Sequence, residues 1–335
     1  MTIPIIAFFN NKGGVGKTSL VYHLAWMYQN LGLRVVAADL DPQVNLTTAF
    51  LDDDRLEELW GDNGHNIDNQ QPNTIFRCIQ PLIKGIGDIA IPQLEIIDDN
   101  LALLAGDLSL SVFEDDLSVE WWSCMDRKER SFQLISAFWR VLQSGTKDYK
   151  ADMILMDLGP NLGAINRAAL IGADYVVVPL SPDLLSLQGL KNLGPTLRRW
   201  RDEWTERLQQ SPGSHLKLPR GKMQPIGYVV LRHPVRLDTP VKAFKRWVDR
   251  IPGVYREEIL QDRTILKGDI HEDSNCLAQL KHYQSLIAMA LEAHKPIFSL
   301  KPADGAMGAH QKAVQSVYQD FQKLAQKIAD SILIS

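Results

Sequence analysis

The chain has 335 residues, of which 45% are hydrophobic and 23% are charged, with a formal net charge of −4. This composition is typical of a globular protein and excludes a disordered or fibrous chain. No apolar run approaches the roughly 18 residues of a membrane-spanning helix, no signal peptide is visible, and the three distant cysteines do not match a disulfide framework or an iron–sulfur cluster. We therefore expect a cytoplasmic protein.

Apolar strands and amphipathic helices alternate along the chain. The predicted strands are 3–9, 33–39, 152–157, 174–180 and 225–231, with one or two more within 94–104. The predicted helices are 17–31, 131–144, 163–171, 184–209, 239–250, 276–292 and 311–333. This alternation predicts an α/β fold, a mostly parallel twisted sheet with helices on both faces. We expect one domain over 1–335, with surface insertions near 52–71, 114–130 and 208–224.

A glycine-rich loop with two lysines follows the first strand, which is the setting of a P-loop NTPase. Its glycines let backbone amides converge on phosphate oxygens at the positive end of the next helix. Lys17 is expected to reach the β- and γ-phosphates and Thr18 to ligate Mg²⁺, while Lys12 neutralises charge that develops during phosphoryl transfer. The residues expected to bind the phosphates are Gly13, Gly14, Val15, Gly16, Lys17, Thr18 and Ser19.

Two aspartates stand near the carboxyl ends of predicted strands, where ligands bind in such sheets. Asp157 ends the 152–157 strand and is expected to hold Mg²⁺ through water. Asp41 follows the 33–39 strand and is expected to orient or activate an attacking water. For Asp39 a supporting role and a purely structural role remain open.

Charge is unevenly distributed along the sequence. Residues 191–250 hold fourteen Lys and Arg against five Asp and Glu, a net of +9, while the rest of the chain carries −13. Such a surface is able to bind DNA phosphates without reading sequence, although a solvated basic face is the alternative. The candidate DNA-binding residues are Lys191, Arg198, Arg199, Arg236, Lys242, Lys245, Arg246 and Arg250.

Two further segments leave alternatives open. The acidic stretch 52–130 is expected to be a solvated surface, with an exposed loop over 61–71, and its Trp121-Trp122 pair favours the core over an interface anchor. In the last helix an apolar stripe recurs at steps of three and four residues. Its polar face lacks the excess of Lys and Arg expected of a membrane anchor, so packing against the domain is favoured.

Three motifs give the chain a family resemblance. Residues 10–19, Asn-Asn-Lys-Gly-Gly-Val-Gly-Lys-Thr-Ser, resemble the deviant Walker A box of the ParA/MinD ATPases. Residues 38–47 resemble the ParA switch I, usually D-x-D-P-Q-G-N, with Val44 in place of glycine. Residues 153–163 resemble the Walker B strand and switch II, where Gly159 replaces a frequent proline. The resemblance continues through 173–180 and 187–190, and weakly at 294–298 and the final helix.

The resemblance implies ATP and Mg²⁺ as cofactors and an ATP-dependent homodimer in which Lys12 reaches the partner's nucleotide. It also implies slow ATP hydrolysis stimulated by a ParB-like adaptor, binding to nonspecific DNA, and a task in plasmid or chromosome partitioning on the nucleoid. Two alternatives remain: a MinD-like spatial regulator associated with a membrane, and a cargo-positioning or regulatory ATPase that does not use DNA.

Overall fold

The computed structural model describes residues 2–61, 71–213, 215–233, 235–236, 239–240, 242–263, 270–281, 283 and 285–333. Its strands are β1 (Ile5–Phe8), β2 (Val35–Asp39), β3 (Glu95–Asp98), β4 (Leu101–Leu104), β5 (Met153–Asp157), β6 (Tyr175–Leu180), β7 (Gln224–His233), β8 (Val235–Arg236), β9 (Thr239–Pro240) and β10 (Cys276–Lys281).

Eight strands form one sheet in the order β10-β7-β6-β1-β5-β2-β4-β3. Every pairing in it is parallel except that of β3 with β4, and β8 and β9 form a separate antiparallel pair. The polar interruption at Asp98-Asp99-Asn100 is the turn that reverses the chain between β3 and β4. The predicted mostly parallel α/β sheet is confirmed. Because β1 lies between β6 and β5, the loop after β1 is at the centre of the sheet edge.

Helices cover both faces of the sheet. They are α1 (Lys17–Asn30), α2 (Asn45–Phe50), α3 (Asp53–Trp60), α4 (Ile75–Lys84), α5 (Phe113–Ser123), α6 (Glu129–Ile135), α7 (Ala137–Tyr149), α8 (Ala164–Ile171), α9 (Leu184–Gln209), α10 (Lys242–Val248), α11 (Ile251–Tyr255), α12 (Ser285–Glu292) and α13 (Ala309–Leu333). Alternate residues of β1 enter different cores: Ile5 and Ala7 pack with α5 and α7 to α9, and Ile6 and Phe8 with α1 and α13. Burial on both faces explains why the strands are continuously apolar.

The predicted helix over 276–292 is wrong in its first part. Residues 276–281 form β10, which pairs in parallel with β7, and the helix begins only at Ser285. Cys276, Leu277 and Leu280 are buried, and their spacing fits a helical period as well as a strand. Gly227 leaves room for the paired β10, because a Cβ there would lie 2.7 Å from Leu277 Cγ.

Two other predicted helices differ in their limits. The helix expected over 131–144 is two helices, α6 and α7, that meet at Ser136. The Ser136 hydroxyl donates a hydrogen bond of 2.6 Å to the Phe132 carbonyl, as serines that bend helices do. In the segment expected as a helix over 239–250, β9 comes first and α10 covers Lys242–Val248.

The segments expected as surface insertions differ from one another. Residues near 114–130 contain α5, which belongs to the core because Phe113, Leu117 and Trp121 are buried. The prediction of a buried pair is therefore right for Trp121 and wrong for Trp122, whose exposed fraction is 66%. Residues 52–61 form α3 and its C-cap, and 62–70 lie outside the described residues. The 208–224 segment mainly connects α9 to β7.

The final helix packs against the domain, as favoured from the sequence. The stripe residues Val317, Phe321, Leu324 and Ile328 are buried together with α1. The Tyr28 hydroxyl donates a hydrogen bond of 3.0 Å to the carbonyl of Ala325. Among the described residues, no helix has both the length and the apolar character needed to cross a bilayer. The apolar face that a membrane anchor would need is occupied by the core.

Candidate functional site

The loop between β1 and α1 has the backbone conformation that its glycines predict. Gly14 and Gly16 have φ angles of 71° and 94°, which side chains with a Cβ rarely adopt. The Asn10 side chain accepts a hydrogen bond from the Lys12 amide at 3.0 Å and donates to the Pro179 carbonyl at 2.7 Å. The loop is thus tied to the end of β6, and its turn is fixed before any ligand binds.

Lys17, the first residue of α1, is nearly buried at 7% exposure. Burial lowers the pKa of its ammonium group, while the nearby carboxylates of Asp157 and Asp41 act in the opposite direction. Its Nζ lies 3.5 Å from the Lys12 carbonyl oxygen. The structure therefore brings together the loop lysine and both aspartates that the strand ends predicted.

Asp157, at the end of β5, is fully buried and its charge is not compensated by hydrogen bonds. Within the described residues neither carboxylate oxygen accepts one. Burial raises the pKa of Asp157 to about 8, and the nearby charge of Asp39 raises it further. The Thr18 hydroxyl is close enough to oppose this rise but makes no hydrogen bond of standard geometry with either oxygen. An orphaned carboxylate beside a hydroxyl and a P-loop is a donor set that suits Mg²⁺.

Asp39, whose role the sequence left open, is hydrogen-bonded within the turn that follows β2. It faces Asp157 across the β2–β5 pair, but its carboxylate accepts hydrogen bonds from the Thr47 amide and hydroxyl, both at 2.8 Å, and from the Asp41 amide at 3.2 Å. Burial nevertheless raises the pKa of Asp39 to about 6. These bonds fix the turn from β2 to α2 and so set the position of Asp41.

The segment after β5 approaches Asp41 through a glycine. A Cβ on Gly159 would lie 3.1 Å from Asp41 Oδ1, so the backbone at Gly159 is in close contact with the Asp41 side chain. The Asn166 amide group, on α8, donates to the carbonyls of Gly159 at 2.9 Å and Asn161 at 2.8 Å. Asn166 thus holds the loop 158–163 against the side chain expected to orient water.

Sequence reasoning missed two carboxylates that support the site. Glu114, on α5, accepts hydrogen bonds from the first amides of α8, Ala164 at 2.5 Å and Ile165 at 2.8 Å. Asp183 caps α9 by accepting a hydrogen bond from the Ser186 amide at 2.9 Å, and it also pairs with Lys12. The N-cap position of Asp183 was a readable signal. Glu114 offered none, because it stands in a run of acidic residues.

The candidate DNA-binding residues lie on neighbouring elements. Lys191 and Arg199 are exposed on α9, and α11 packs between α9 and α10. Several carry local partners: Arg199 pairs with Glu203 at 3.9 Å, Arg198 donates to the Glu258 carbonyl, Lys245 pairs with Asp249, and Arg246 lies over the Trp247 ring. Arg250 is exposed beside the same ring. The side chains of Arg236 and Lys242 lie outside the described residues.

Comparison with known proteins matches this site to a family. A family model described as an AAA domain matches residues 3–210. The cell division protein PomZ of Myxococcus xanthus is 30% identical over 198 residues, 58% of this chain and 52% of PomZ. The chromosome partitioning protein ParA of Caulobacter vibrioides is 28% identical over 211 residues, 62% of this chain and 67% of that protein. The matched region thus spans about half the length of PomZ.

The fold has a solved counterpart along its whole length. The crystal structure of protein DIP2308 from Corynebacterium diphtheriae has a TM-score of 0.72 and 24% identity, and the alignment covers 98% of this chain and 99% of that one. At this identity the similarity concerns the fold. The family model covers the P-loop, both aspartates and α9, and with the named relatives it shows that the chain belongs to the ParA/MinD family of P-loop ATPases.

Proposed function

We propose that this chain hydrolyses ATP as a ParA-type switch that dimerises on ATP, binds nonspecific DNA and drives partitioning with a ParB-like adaptor. The observation that carries the proposal is the buried Asp157 carboxylate, without hydrogen-bond partners among the described residues and close to Lys17. Such a group is costly to bury unless a cation completes it. Because the chain belongs to a family of P-loop ATPases, we propose that the cation is Mg²⁺ and that it binds together with ATP.

In this proposal each residue around the phosphate-binding loop has its own role. The amides of 13–19 and the Lys17 ammonium bind the phosphates, and Thr18 and Asp157 hold Mg²⁺, Asp157 through water. A magnesium ion held by these side chains would supply positive charge beside the phosphates. Asp41 accepts a hydrogen bond from the water that attacks the γ-phosphorus, so that the bond to the β-phosphate oxygen breaks and ADP leaves. Asp39 holds Asp41 in place through the Asp41 amide.

Dimerisation is supported by the surface around Lys12. Lys12 and Asp183 are both partly exposed, with side-chain exposures of 22% and 35%. The next two residues, Leu184 and Leu185, are exposed apolar side chains at the start of α9. Exposed apolar groups beside a charged pair are typical of an interface. We propose that this edge meets a second copy when ATP is bound, and that Lys12 then reaches the partner's nucleotide.

DNA binding is supported by the net charge of residues 191–250 and by the exposed cations of α9 and α10. Phosphate contacts of this kind do not read sequence and weaken as salt rises. Hydrolysis would dissociate the dimer and release the DNA, so the rate of hydrolysis would set the lifetime of the DNA-bound state. Slow turnover is expected until an adaptor stimulates it, and the protein would be cytoplasmic and associated with the nucleoid.

One set of measurements tests the proposal. Sedimentation with nonspecific duplex DNA across a salt series, with ATP, ADP or no nucleotide, is compared for wild type, Lys17→Ala and Asp41→Ala. We expect ATP-dependent, salt-sensitive binding that Lys17→Ala loses and Asp41→Ala keeps. Arg199→Glu should weaken binding, whereas Lys147→Glu, an exposed charge change on α7, should not. Intact ATP-dependent dimers without DNA binding in any state would disprove the DNA part alone.

A second candidate comes from the comparison with PomZ, whose name is that of a cell division protein. In this reading the chain positions a protein cargo by the same ATP cycle but does not use DNA as its track. The two candidates share the nucleotide site and differ in the basic segment. Two results together would favour the second candidate. The Arg199→Glu variant would dimerise and hydrolyse ATP normally, and the wild type would not bind DNA.

A further inference from the structure

The outer face of α5 and of the 3-10 turn before it, residues 108–112, carries an exposed apolar stripe, in which Trp122 also contacts the Arg207 guanidinium, 5.4 Å from its ring centre. Leu108, Val112, Val119 and Trp122 are each more than half exposed, between 59% and 67%. Val112, Val119 and Trp122 are seven and three residues apart and so lie along one side of α5, and Leu108 lies in the turn that precedes it. The opposite side, with Phe113, Leu117 and Trp121, is buried in the core. Single exposed apolar residues need no explanation, but four in one short segment do.

The surroundings of this stripe are strongly acidic. Residues 107–126 contain six Asp and Glu and no Lys or Arg. Three of these carboxylates are engaged: Asp107 with Thr74, Glu114 with α8, and Glu120 with Ser131. Asp115 and Asp116 are exposed on the same side as the stripe and form no salt bridge within the described residues. The face is therefore apolar at its centre with uncompensated negative charge beside it.

The same helix is joined directly to the candidate site. Glu114 accepts hydrogen bonds from the first two amides of α8, which begins where the loop 158–163 ends. A Cβ on Gly163 would lie 2.5 Å from Glu114 Oε1, so the contact leaves no space for adjustment. The Arg167 guanidinium of α8 also lies over the Trp121 ring at 4.3 Å. A movement of α5 is therefore transmitted to α8 and to the loop that touches Asp41.

We propose that the outer face of α5 binds a basic amphipathic helix of a partner protein, and that Glu114 transmits this binding to the loop 158–163. Charge complementarity selects the partner, because apolar anchors at helical spacing flanked by Lys and Arg match both the stripe and its free aspartates. An anionic membrane surface would be repelled by the same charges. The inference rests on the proposed ATPase function for its effect on hydrolysis, but not for binding itself.

The test is a selection from a displayed library of helical peptides on the ATP-loaded full chain, with counter-selection on the double variant Val119→Ser/Trp122→Ala. We expect the enriched peptides to carry apolar residues at i, i+3, i+4 and i+7 and an excess of Lys and Arg. They should bind the double variant at least about tenfold more weakly, since hot-spot aromatic residues commonly contribute this much. Asp115→Asn/Asp116→Asn should also weaken binding.

The control is Asp53→Asn/Asp54→Asn, which removes the same charge from exposed positions of α3. Enriched peptides without excess positive charge, or binding that tolerates the loss of Trp122, would overturn the proposal. So would loss of ATP-dependent dimerisation in the double variant, because the stripe would then belong to an interface with a second copy. Thermal unfolding of each variant shows whether the domain is intact.

The link to the site has its own readout. The best peptide should change the ATP hydrolysis rate of wild type at least about threefold, and Glu114→Ala should lose this response while it still binds the peptide. Glu114→Gln, which keeps one acceptor oxygen, should respond partly, and Glu120→Gln on the same helix should respond fully. An unchanged response in Glu114→Ala would disprove the link. If the wild type does not hydrolyse ATP, the proposed function is disproved instead. Peptide binding would then still test the outer face of α5 by itself.

Discussion

The Lys12 ammonium donates a hydrogen bond to the Asp183 carboxylate, which also caps α9. Burial alone would raise the pKa of Asp183, but the hydrogen bonds from Lys12 and the Ser186 amide lower it overall, so the pair is charged. Lys12 is therefore held by its own chain in the unliganded structure. If Lys12 reaches a partner's nucleotide in the dimer, the bond to Asp183 has to break first.

Asp183→Asn separates the two roles of this side chain, because asparagine caps helices as well as aspartate does but has no charge. We expect ATP-dependent dimerisation to strengthen about two- to fivefold, since a partly exposed ion pair contributes only about 0–1 kcal/mol. Light scattering over a protein concentration series measures this. Lys12→Ala in both backgrounds is the control, and a dimerisation constant that Asp183→Asn leaves unchanged would mean that the pair does not restrain Lys12.

The buried carboxylates Asp157 and Asp39 are expected to respond oppositely to the same substitution. Asp157→Asn removes a buried carboxyl group that has no hydrogen-bond partners among the described residues and whose pKa is raised by burial, so we expect the nucleotide-free protein to gain about 1–3 kcal/mol at neutral pH and to lose its stabilisation by ATP and Mg²⁺. Asp39→Asn should destabilise by a similar amount, because one of the two acceptor oxygens becomes an NH₂ group, so that either the Asp41 amide or the Thr47 amide and hydroxyl lose their acceptor. Thermal unfolding with and without Mg²⁺ and ATP distinguishes them.

The pH dependence of this gain has a defined sign. The pKa of Asp157 is raised to about 8 in the folded state from 3.8. The folded wild type therefore binds more protons than the unfolded chain, and its stability falls as pH rises from about 4 to about 8. The advantage of Asp157→Asn should be absent near pH 4 and largest above pH 8. An advantage that shrinks with rising pH would contradict the assignment.

How much of the site was readable from the sequence depends on how far apart its parts lie in the chain. The loop 12–18 is contiguous in sequence, and its glycines predict its backbone conformation. Asp157 and Asp41 were predicted because parallel strands end at one edge of the sheet. Glu114 and Asp183 contact residues 50 and 171 positions away. No local pattern encodes such distances. β10 was wrongly predicted as helix because its buried residues Cys276, Leu277 and Leu280 also fit a helical period.

Val44 replaces the usual glycine of switch I in a conformation that favours glycine. Its φ is 52°, left-handed and unfavourable for a β-branched side chain, yet it is 4% exposed and so contributes buried apolar area. Val44→Ala loses the area and keeps much of the strain, whereas Val44→Gly loses the area and relieves the strain. We expect Val44→Gly to be more stable than Val44→Ala by about 1 kcal/mol, measured by denaturant unfolding. The normal helical order, with Ala above Gly, would show that the strain is absent.

His23 makes the domain sensitive to acid. Its Nδ1 lies 2.6 Å from the Ser19 carbonyl oxygen and its Nε2 lies 3.2 Å from the Ile297 amide, so the neutral ring, with Nδ1 protonated, fits both partners. Burial lowers the pKa of His23 to about 4. The unfolded chain takes up the proton near pH 6.5, so this contribution is present above pH 6.5 and is lost down to pH 4.

The expected loss over this interval is about 3 kcal/mol, and His23→Gln should remove that part of the acid dependence whatever it does to stability at pH 8. His215→Gln, the same substitution at an exposed histidine, controls for the change of side chain. Denaturant unfolding at several pH values measures the difference. A His23→Gln protein that parallels wild type from pH 8 to pH 4 would show that His23 is able to ionise in the fold.

A substitution at Gly159 is expected to slow ATP hydrolysis with little effect on ATP affinity. A Cβ at this position would lie 3.1 Å from Asp41 Oδ1 and 3.4 Å from Asp41 Cγ, tighter than ordinary contact, so Gly159→Ala has to displace the carboxylate. Because Asp41 is proposed to orient the attacking water, a shift of a few tenths of an ångström should lower kcat about tenfold, while ATP affinity stays within about twofold. Gly253→Ala, with nothing within 4 Å of its Cβ, controls for the added methyl group. Single-turnover hydrolysis measures kcat, and fluorescent nucleotide titration measures affinity. Equal losses in both would mean that Gly159 shapes the phosphate site. A selective loss of kcat would support Asp41 as the residue that positions water.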